Sequence, residues 1–400
     1  MAGIRSLPRW PVLIGLILLI QSGCRTQGPR GLGPTPLQQS QVPYAPEERL
    51  NIGVVFFDPG DTSEATLAAQ HSNEQIRLAE TRYMPFQLRN TLERSGYWGE
   101  VRVVPPGAKG LDLQVHGTIL ESNGEILHLQ IHAVDTQGYV WLDRRYLERG
   151  RKEAYTAART GVEDPFQHLY NSIANDLAAV RRRLDGFQVK TLRRTTEMAF
   201  AADLVPSAFA DYVRRNPQGD LEVIRLPAEN DPTWLRVEQI STRYELFFDA
   251  LHASIEPFFQ RMWPSYQEWR SYNLVEQTAI RQARQDSLRQ ATAGIIMIAT
   301  AILLEVRDVP GSSTMRDVLV LGGAQVLING VNISNRTEMH QETLRELADS
   351  FGAEARTVVV ELEGQTVTLT GSVDQQMTQW RELLQALFLA EQPPADGDLP

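Results

Sequence analysis

Two neighbouring segments alternate apolar and polar residues, and this pattern restricts the fold more than any other feature of the chain. They are LDLQVHGTIL (111–120) and EILHLQIHAVD (125–135), which alternate around SNG (122–124). A period of two residues indicates strands with one buried face, and the short separation indicates an antiparallel hairpin. The final glycine of SNG predicts a type I turn with a G1 bulge. With GYVWLDRRYL (138–147) as a third strand, the sequence predicts an antiparallel meander.

The elements on either side of the meander complete an α/β domain. NIGVVFFDPGD (51–61) opens with an apolar run that does not alternate, which is typical of a strand covered on both faces. VRVVP (101–105) predicts a second short strand. Helices are predicted over 72–96, where Pro85 starts a second helix or makes a kink, and over 164–185.

This order of one strand, a helix, four strands and a helix resembles the N-terminal α/β domain of several envelope proteins. They are the curli secretion channel subunit, a flagellar outer-membrane lipoprotein and the periplasmic protein of the Tol system. The resemblance covers residues 50–185 and rests on NIGVVFFDPGD, LERSGYWGEVRVVP, DLQVHGTI and VDTQGYVWLDRRY. It implies a fold and a compartment but no particular function, because these proteins do different jobs.

The N-terminus has the pattern of a secretory signal. The apolar run VLIGLILLI (12–20) follows two arginines and is too short for a bilayer core that needs about 20 residues. Ser22 and Gly23 then precede Cys24, the only cysteine of the chain. The arrangement resembles the lipobox of bacterial lipoproteins, which implies cleavage before Cys24 and lipidation of its thiol, although Gln21 stands where that pattern has an aliphatic residue. The alternative is an ordinary signal peptide with an incidental cysteine.

Composition and the next residues suggest where such a protein works. Residues 25–48 are rich in Pro, Gly and Gln and predict a flexible linker that lifts the first domain by about 25–30 Å. Arg25, where an Asp favours inner-membrane retention in enteric sorting, indicates the periplasmic face of the outer membrane. The membrane is thus an expected partner through the lipid anchor. A net charge of −10 argues against nucleic acid as a partner.

The second half predicts mainly helices. Helical patterns cover 190–215, 234–263 and 275–290, and two apolar segments follow at 291–304 and 318–333. Neither apolar segment reaches the length of a membrane span, so we expect an antiparallel helical hairpin buried in a core. Membrane contact and homo-oligomerisation are the alternatives for this hairpin.

The C-terminal segment predicts the order α-β-β-α. A helix over 337–351 is followed by a hairpin over 356–371, which turns near Glu363 and Gly364, and by a second helix over 372–391 with a Ser372–Gln375 capping box. This order and the string GQTVTLTGSV resemble a BON domain, which implies phospholipid contact. The closing strand of a BON domain has no counterpart here, so a generic hairpin with a helix is the alternative.

The sequence therefore predicts an α+β protein: an N-terminal α/β sandwich-type domain with a mostly antiparallel sheet, then a mainly helical half with a helical hairpin and a terminal β-hairpin plus helix. The predicted boundaries are 1–23 (signal peptide), 24–48 (lipidated cysteine and linker), 49–187 (α/β domain), 188–290 (helical region), 291–335 (apolar hairpin), 336–392 (α-β-β-α segment) and 393–400 (disordered tail).

Three histidines of the predicted hairpin are a candidate metal site. With SNG as the loop, His116 faces Gln130, and His128 and His132 become its diagonal neighbours at Cβ separations of roughly 5–8 Å. Three imidazoles can bind zinc. The same pattern fits a polar sheet face without metal, and no cofactor is expected.

Aromatic residues between 244 and 272 are interleaved with acidic residues, an arrangement that can hold a sugar. The candidate glycan-binding residues are Trp263, Tyr266 and Trp269. Helical spacing of the apolar positions favours a core or a partner interface instead. Asp58 and Asp61 follow the first strand, where α/β sheets often bind ligands, and the DPGD sequence also fits a simple turn.

The sequence contains no GxSxG, Walker A, GxGxxG or HExxH motif. We therefore expect a non-enzymatic, periplasm-facing lipoprotein that binds or helps assemble another envelope component through protein–protein contacts. A glycan- or peptidoglycan-binding protein and a phospholipid-contacting protein are the alternatives.

Overall fold

The computed structural model describes residues 34–41, 44–70, 72, 74–155, 163–303 and 357–390. The signal peptide with Cys24, most of the predicted apolar hairpin, the helix predicted over 337–351 and the C-terminal tail lie outside the described residues. The fold is α+β, as the sequence predicts.

A five-stranded mixed sheet forms the N-terminal domain, with strand order β2-β1-β3-β4-β5. The short β1 pairs in parallel with both β2 and β3, whereas β3, β4 and β5 form the antiparallel meander. The strands are β1 (Ile52–Val55), β2 (Val101–Val104), β3 (Leu113–Ser122), β4 (Ile126–Asp135) and β5 (Val140–Arg149). The helices of this domain are α1 (Glu64–Ala69), α2 (Glu74–Ser95) and α3 (Gln167–Arg181).

Two local predictions in this domain need correction. Helix α2 is continuous through Pro85, so no second helix starts there. Gly124 does not have the positive φ that a G1 bulge requires; a bulge lies between Ile119 and Glu121 instead. The strands meet at Asn123 and Ile126, where the Asn123 N–H donates to the Ile126 carbonyl oxygen at 3.0 Å, so the hairpin register differs from the one predicted from an SNG loop; the bulge then shifts the pairing by one residue.

The segment after α3 contains a strand pair that the sequence pattern did not reveal. Helix α4 (Gly186–Leu204) and the single turn α5 (Pro206–Phe209) lead into β6 (Val213–Arg215) and β7 (Leu221–Val223). The continuous helix predicted over 190–215 is therefore wrong: it is interrupted at Val205, and from Val213 the chain forms a hairpin. Its turn signal, NPQGD (216–220), contains Gly219 with φ +95°.

A single helix, α6 (Pro232–Leu303), replaces three elements expected as separate helices. It has 72 residues and is about 108 Å long at 1.5 Å per residue. Pro257 and Pro264 lie inside it, although each removes one helical hydrogen bond. Its apolar face contributes Trp234, Phe247, Phe258 and Trp269 to the hydrophobic core. No helix among the described residues is both long and apolar enough to cross a bilayer.

The C-terminal unit packs on α6. It consists of β8 (Thr357–Leu362), β9 (Gln365–Thr370) and α7 (Val373–Ala390). The turn at Glu363 and Gly364 has φ +52° and +77°, and the Ser372–Gln375 capping box is formed, so both predictions are confirmed. Trp380 is buried and donates its indole N–H to the Tyr244 carbonyl oxygen at 3.3 Å.

Candidate functional site

The three histidines proposed as metal ligands do not converge. His116 pairs with His132, with ring centroids 6.5 Å apart, whereas His128 lies opposite Glu121 at the bulge. The predicted pairing of His116 with Gln130 is therefore wrong. Because His128 and His132 are four residues apart on one strand, they are separated by about 13 Å. Among the residues that the structure describes, no group of three metal-binding side chains is found.

Asp58 and Asp61 form turns held by local hydrogen bonds. Asp58 accepts the Gly60 N–H at 2.7 Å, and Asp61 accepts the Ser63 N–H at 2.9 Å and the Thr66 hydroxyl at 2.7 Å. Hydrogen bonds from these donors lower the pKa of Asp61.

The candidate glycan-binding aromatics divide between core and surface. Tyr266 and Trp269 are 2% and 0% exposed and stack on each other with centroids 5.7 Å apart. Neither ring is accessible to a sugar, so a surface built from all three aromatics is wrong. Trp263 is partly buried and lines an open groove between α2, α6 and the start of α3.

This aromatic groove has a volume of about 640 Å³ and an excess of acidic side chains. Tyr83, Phe86 and Phe259 form its apolar part together with Trp263. Its polar residues are Gln87, Asn90, Glu93, Arg94, Glu163, Asp164, Gln167, His252, Glu256 and Gln260.

A buried ion pair lies below the groove and was not found from the sequence. Both terminal nitrogens of Arg270 donate to the Asp164 carboxylate, at 3.0 and 3.2 Å. The guanidinium lies over the Phe166 and Tyr266 rings, 4.9 and 4.7 Å from their centroids. Asp164 stands three residues before the first residue of α3 and ties α6 to that end of the helix.

A second buried cluster continues from this ion pair toward the β3–β4 loop. Glu80 of α2 accepts the hydroxyl protons of Tyr266 and Ser122, both at 2.6 Å, and the Arg77 Nε–H at 3.2 Å. Arg77 also donates to the side chain of Gln70. Every strong charge in the cluster has a partner on another element, so these contacts fix α6 against α2 and the sheet.

Glu148 of β5 belongs to the same interior, and burial raises its pKa to about 8. Its carboxylate accepts the Leu169 N–H at 2.7 Å, which lowers the pKa, while the charge of Asp164 raises it. Between pH 4.5 and pH 8 the folded protein holds a proton that the unfolded chain has lost. Stability therefore falls as pH rises through this window.

We expect the free energy of unfolding, measured by urea denaturation, to fall by on the order of 2 kcal/mol between pH 6.5 and pH 8, and Glu148→Gln to remove most of this fall. The higher pH range is chosen because Asp112, whose pKa burial raises to about 6, contributes in the same direction at lower pH. The exposed Glu74→Gln is the matched control. Equal slopes in the parent and Glu148→Gln would contradict this assignment.

Several exposed apolar side chains cluster on a different surface, beside α4. Of the eleven large apolar residues exposed in the described part of the chain, four line two adjoining grooves beside α4. Phe187, 78% exposed, is shared by both grooves. Tyr139, 64% exposed, lines the groove at the β4–β5 turn, and Ile224 and Leu226 line the groove at residues 222–226.

We name these two cavities by their walls. The turn groove, about 690 Å³, lies between α4, the β4–β5 turn and β7. The strand groove, about 650 Å³, lies between α4 and residues 222–226. Exposed apolar side chains clustered around a groove are typical of a binding site.

Comparisons of the chain with protein-family models, with curated proteins and with solved structures found no match.

Proposed function

We propose that the chain is a non-enzymatic lipoprotein, anchored through Cys24, that faces the periplasm and binds or helps assemble another envelope protein. The observation that carries the binding role is the clustering of four exposed apolar side chains around the two grooves beside α4. The lipobox-like sequence ending at Cys24 supports the anchor, and Arg25 supports the outer membrane. Metabolic labelling with palmitate that survives Cys24→Ala would remove the anchor from the proposal.

We expect a photoreactive phenylalanine analogue at Phe187 or Tyr139 to form a cross-link in cells to the same envelope protein, identified by mass spectrometry. Both side chains are largely exposed and border one apolar surface. The matched control is the analogue at Leu389, which is 63% exposed on α7 and lines neither groove. The same products at equal yield from all three positions would mean that the surface has no specific partner.

Glycan binding is the second candidate function because Trp263 lines the aromatic groove together with Glu163 and Glu256. An aromatic face beside carboxylates offers stacking and hydrogen bonding to a sugar. Tyr266 and Trp269 have no part in this candidate glycan-binding site, because both are buried.

If this second candidate is correct, purified sacculi should retain the parent protein in a pull-down, and Trp263→Ala should weaken retention by about tenfold, the effect of losing one stacking contact. Tyr139→Ala is the matched control, because this aromatic is exposed outside the aromatic groove. Failure of the parent protein to bind sacculi would eliminate the candidate.

A further inference from the structure

The outer edge of β7 faces the strand groove. In the β6–β7 ladder, Ile224 donates its N–H to the Tyr212 carbonyl oxygen at 2.8 Å, and Asn216 donates its N–H to the Asp220 carbonyl oxygen at 2.9 Å. Hydrogen-bonded pairs alternate with non-hydrogen-bonded pairs in an antiparallel ladder.

The same alternation gives the direction of each backbone group along residues 221–225. Glu222 and Ile224 direct their backbone groups to β6, whereas Leu221 and Val223 direct theirs to the opposite edge, as Arg225 does where the alternation continues past the end of β7. At that edge the Leu221 N–H meets the Gln137 carbonyl oxygen at 2.7 Å.

In the part of the chain that the structure describes, no strand lies beside this edge beyond Leu221. Within the described residues, no hydrogen bond joins the backbone N–H of Val223 or Arg225 to another backbone group. A strand edge with unsatisfied donors and acceptors is a template for another extended chain. The two-stranded β6–β7 sheet is also small, so a third strand would extend it.

The opposite wall of the strand groove is one face of α4. The lining residues recur at the spacing i, i+3, i+4, i+7 and i+8, which places them on the same side of the helix. They are Phe187, Lys190, Thr191, Arg194 and Thr195. A groove between a strand edge and a helix can hold an extended peptide: the edge pairs its backbone and the helix contacts its side chains.

The charge around the groove determines which charge a bound peptide should carry. Lys190, Arg194 and Arg225 line it, against one acidic residue, Glu222. Arg194 is paired with Glu197 at 3.3 Å, so Lys190 and Arg225 carry the positive excess. Glu222 is itself hydrogen-bonded to the Asn216 side chain at 2.9 Å. This local positive excess contrasts with a net charge of −10 for the chain, so the groove favours an acidic segment.

We propose that the strand groove binds an extended acidic segment of a partner protein, which pairs as an added strand with the outer edge of β7 and places an apolar side chain against Phe187 and Ile224. The inference rests on the proposed partner-binding function and specifies the chemistry of the partner. Two other occupants could take this groove instead. They are a second copy of the chain and the chain's own acidic C-terminal residues.

The test uses the full chain purified in detergent and a fluorescein-labelled synthetic decapeptide of alternating valine and glutamate. The control peptide alternates valine and lysine. By fluorescence anisotropy we expect the glutamate peptide to bind at least about tenfold more tightly than the lysine peptide. Equal affinities would overturn the proposal.

Two variants of one exposed residue separate backbone pairing from charge. Arg225→Pro removes the charge and also the N–H at the outer edge, whereas Arg225→Gln removes the charge and keeps the N–H. We expect binding to weaken by at least about tenfold in Arg225→Pro and by about two- to fourfold in Arg225→Gln. The bound peptide should also slow hydrogen exchange at the amides of Val223 and Arg225. Equal effects of the two variants, or unchanged exchange, would overturn strand pairing, and unchanged circular dichroism shows that both variants are folded.

The competing occupants give distinct results. A concentration-dependent dimer in sedimentation velocity that Arg225→Pro abolishes, without peptide binding, would assign the edge to a second copy and overturn the proposal. Peptide binding that appears only after removal of residues 391–400 would assign it to the chain's own end and likewise overturn the proposal. Cross-linking from Phe187 to an envelope protein together with failure of the peptide test would leave the partner-binding function standing and remove only this binding mode.

Discussion

Arg270→Met is expected to lower the free energy of unfolding by about 3–5 kcal/mol, the effect of removing one partner of a buried ion pair. The side chains of Arg270 and Asp164 are 3% and 0% exposed, so water cannot replace the lost guanidinium. Among the described residues, the Asp164 carboxylate would keep two donors, the Tyr83 hydroxyl at 2.9 Å and the Phe166 N–H at 2.8 Å. Chemical denaturation followed by far-UV circular dichroism measures the change.

Arg194→Met is the matched control, because Arg194 forms a salt bridge with Glu197 at 3.3 Å in which both side chains are largely exposed. Its expected cost is below about 1 kcal/mol. Adding Asp164→Asn to Arg270→Met should recover part of the loss, since the buried charge is then removed with its partner. A loss below about 1 kcal/mol in Arg270→Met would mean that this ion pair does not fix α6.

Trp269→Ala is expected to destabilise the protein by about 3–5 kcal/mol, the range for deleting a buried tryptophan side chain. Trp269 is among the largest fully buried side chains, and its ring stacks on Tyr266. The substitution would remove the ring and leave a cavity beside Tyr266. The midpoint of urea unfolding measures the effect.

Trp263→Ala is the internal comparison. Trp263 lies on the same helix and is only partly buried, so the expected cost is below about 2 kcal/mol. The difference between the two variants matters for the sacculi experiment. A loss of retention in Trp269→Ala would report unfolding, whereas a loss in Trp263→Ala would report a surface contact. Equal destabilisation by both variants would contradict the division of these aromatics into core and surface.

The sequence predicted the parts of the fold that depend on local patterns. Alternation located β3 and β4, the unbroken apolar run located β1, and the glycine at 364 located the β8–β9 turn. It did not predict the register of the β3–β4 hairpin, because the strands close at Asn123 and Ile126 instead of around SNG, and a bulge near residue 120 then shifts the pairing by one residue. The metal hypothesis for His116, His128 and His132 depended on that register and is not supported for this reason.

Long-range contacts explain the remaining differences. Helix α6 continues through Pro257 and Pro264 because tertiary packing outweighs the local cost of each proline. The Arg270–Asp164 pair joins residues that are 106 positions apart, so no short motif announces it. The strand groove depends on β7, a strand of only three residues, too short for a period of two to be recognised.

The length of α6 also has a mechanical consequence. The helix is held by Arg270 through Asp164 and by Arg281 through Glu125, and its backbone continues for 22 residues from 282 to 303. At 1.5 Å per residue this part is about 33 Å long. A tilt of about 10° at its base displaces residue 303 by about 6 Å. Movement of the far end would therefore act first on the Arg281–Glu125 contact and then on the buried Arg270–Asp164 pair. It would be transmitted as strain to the interior of the α/β domain.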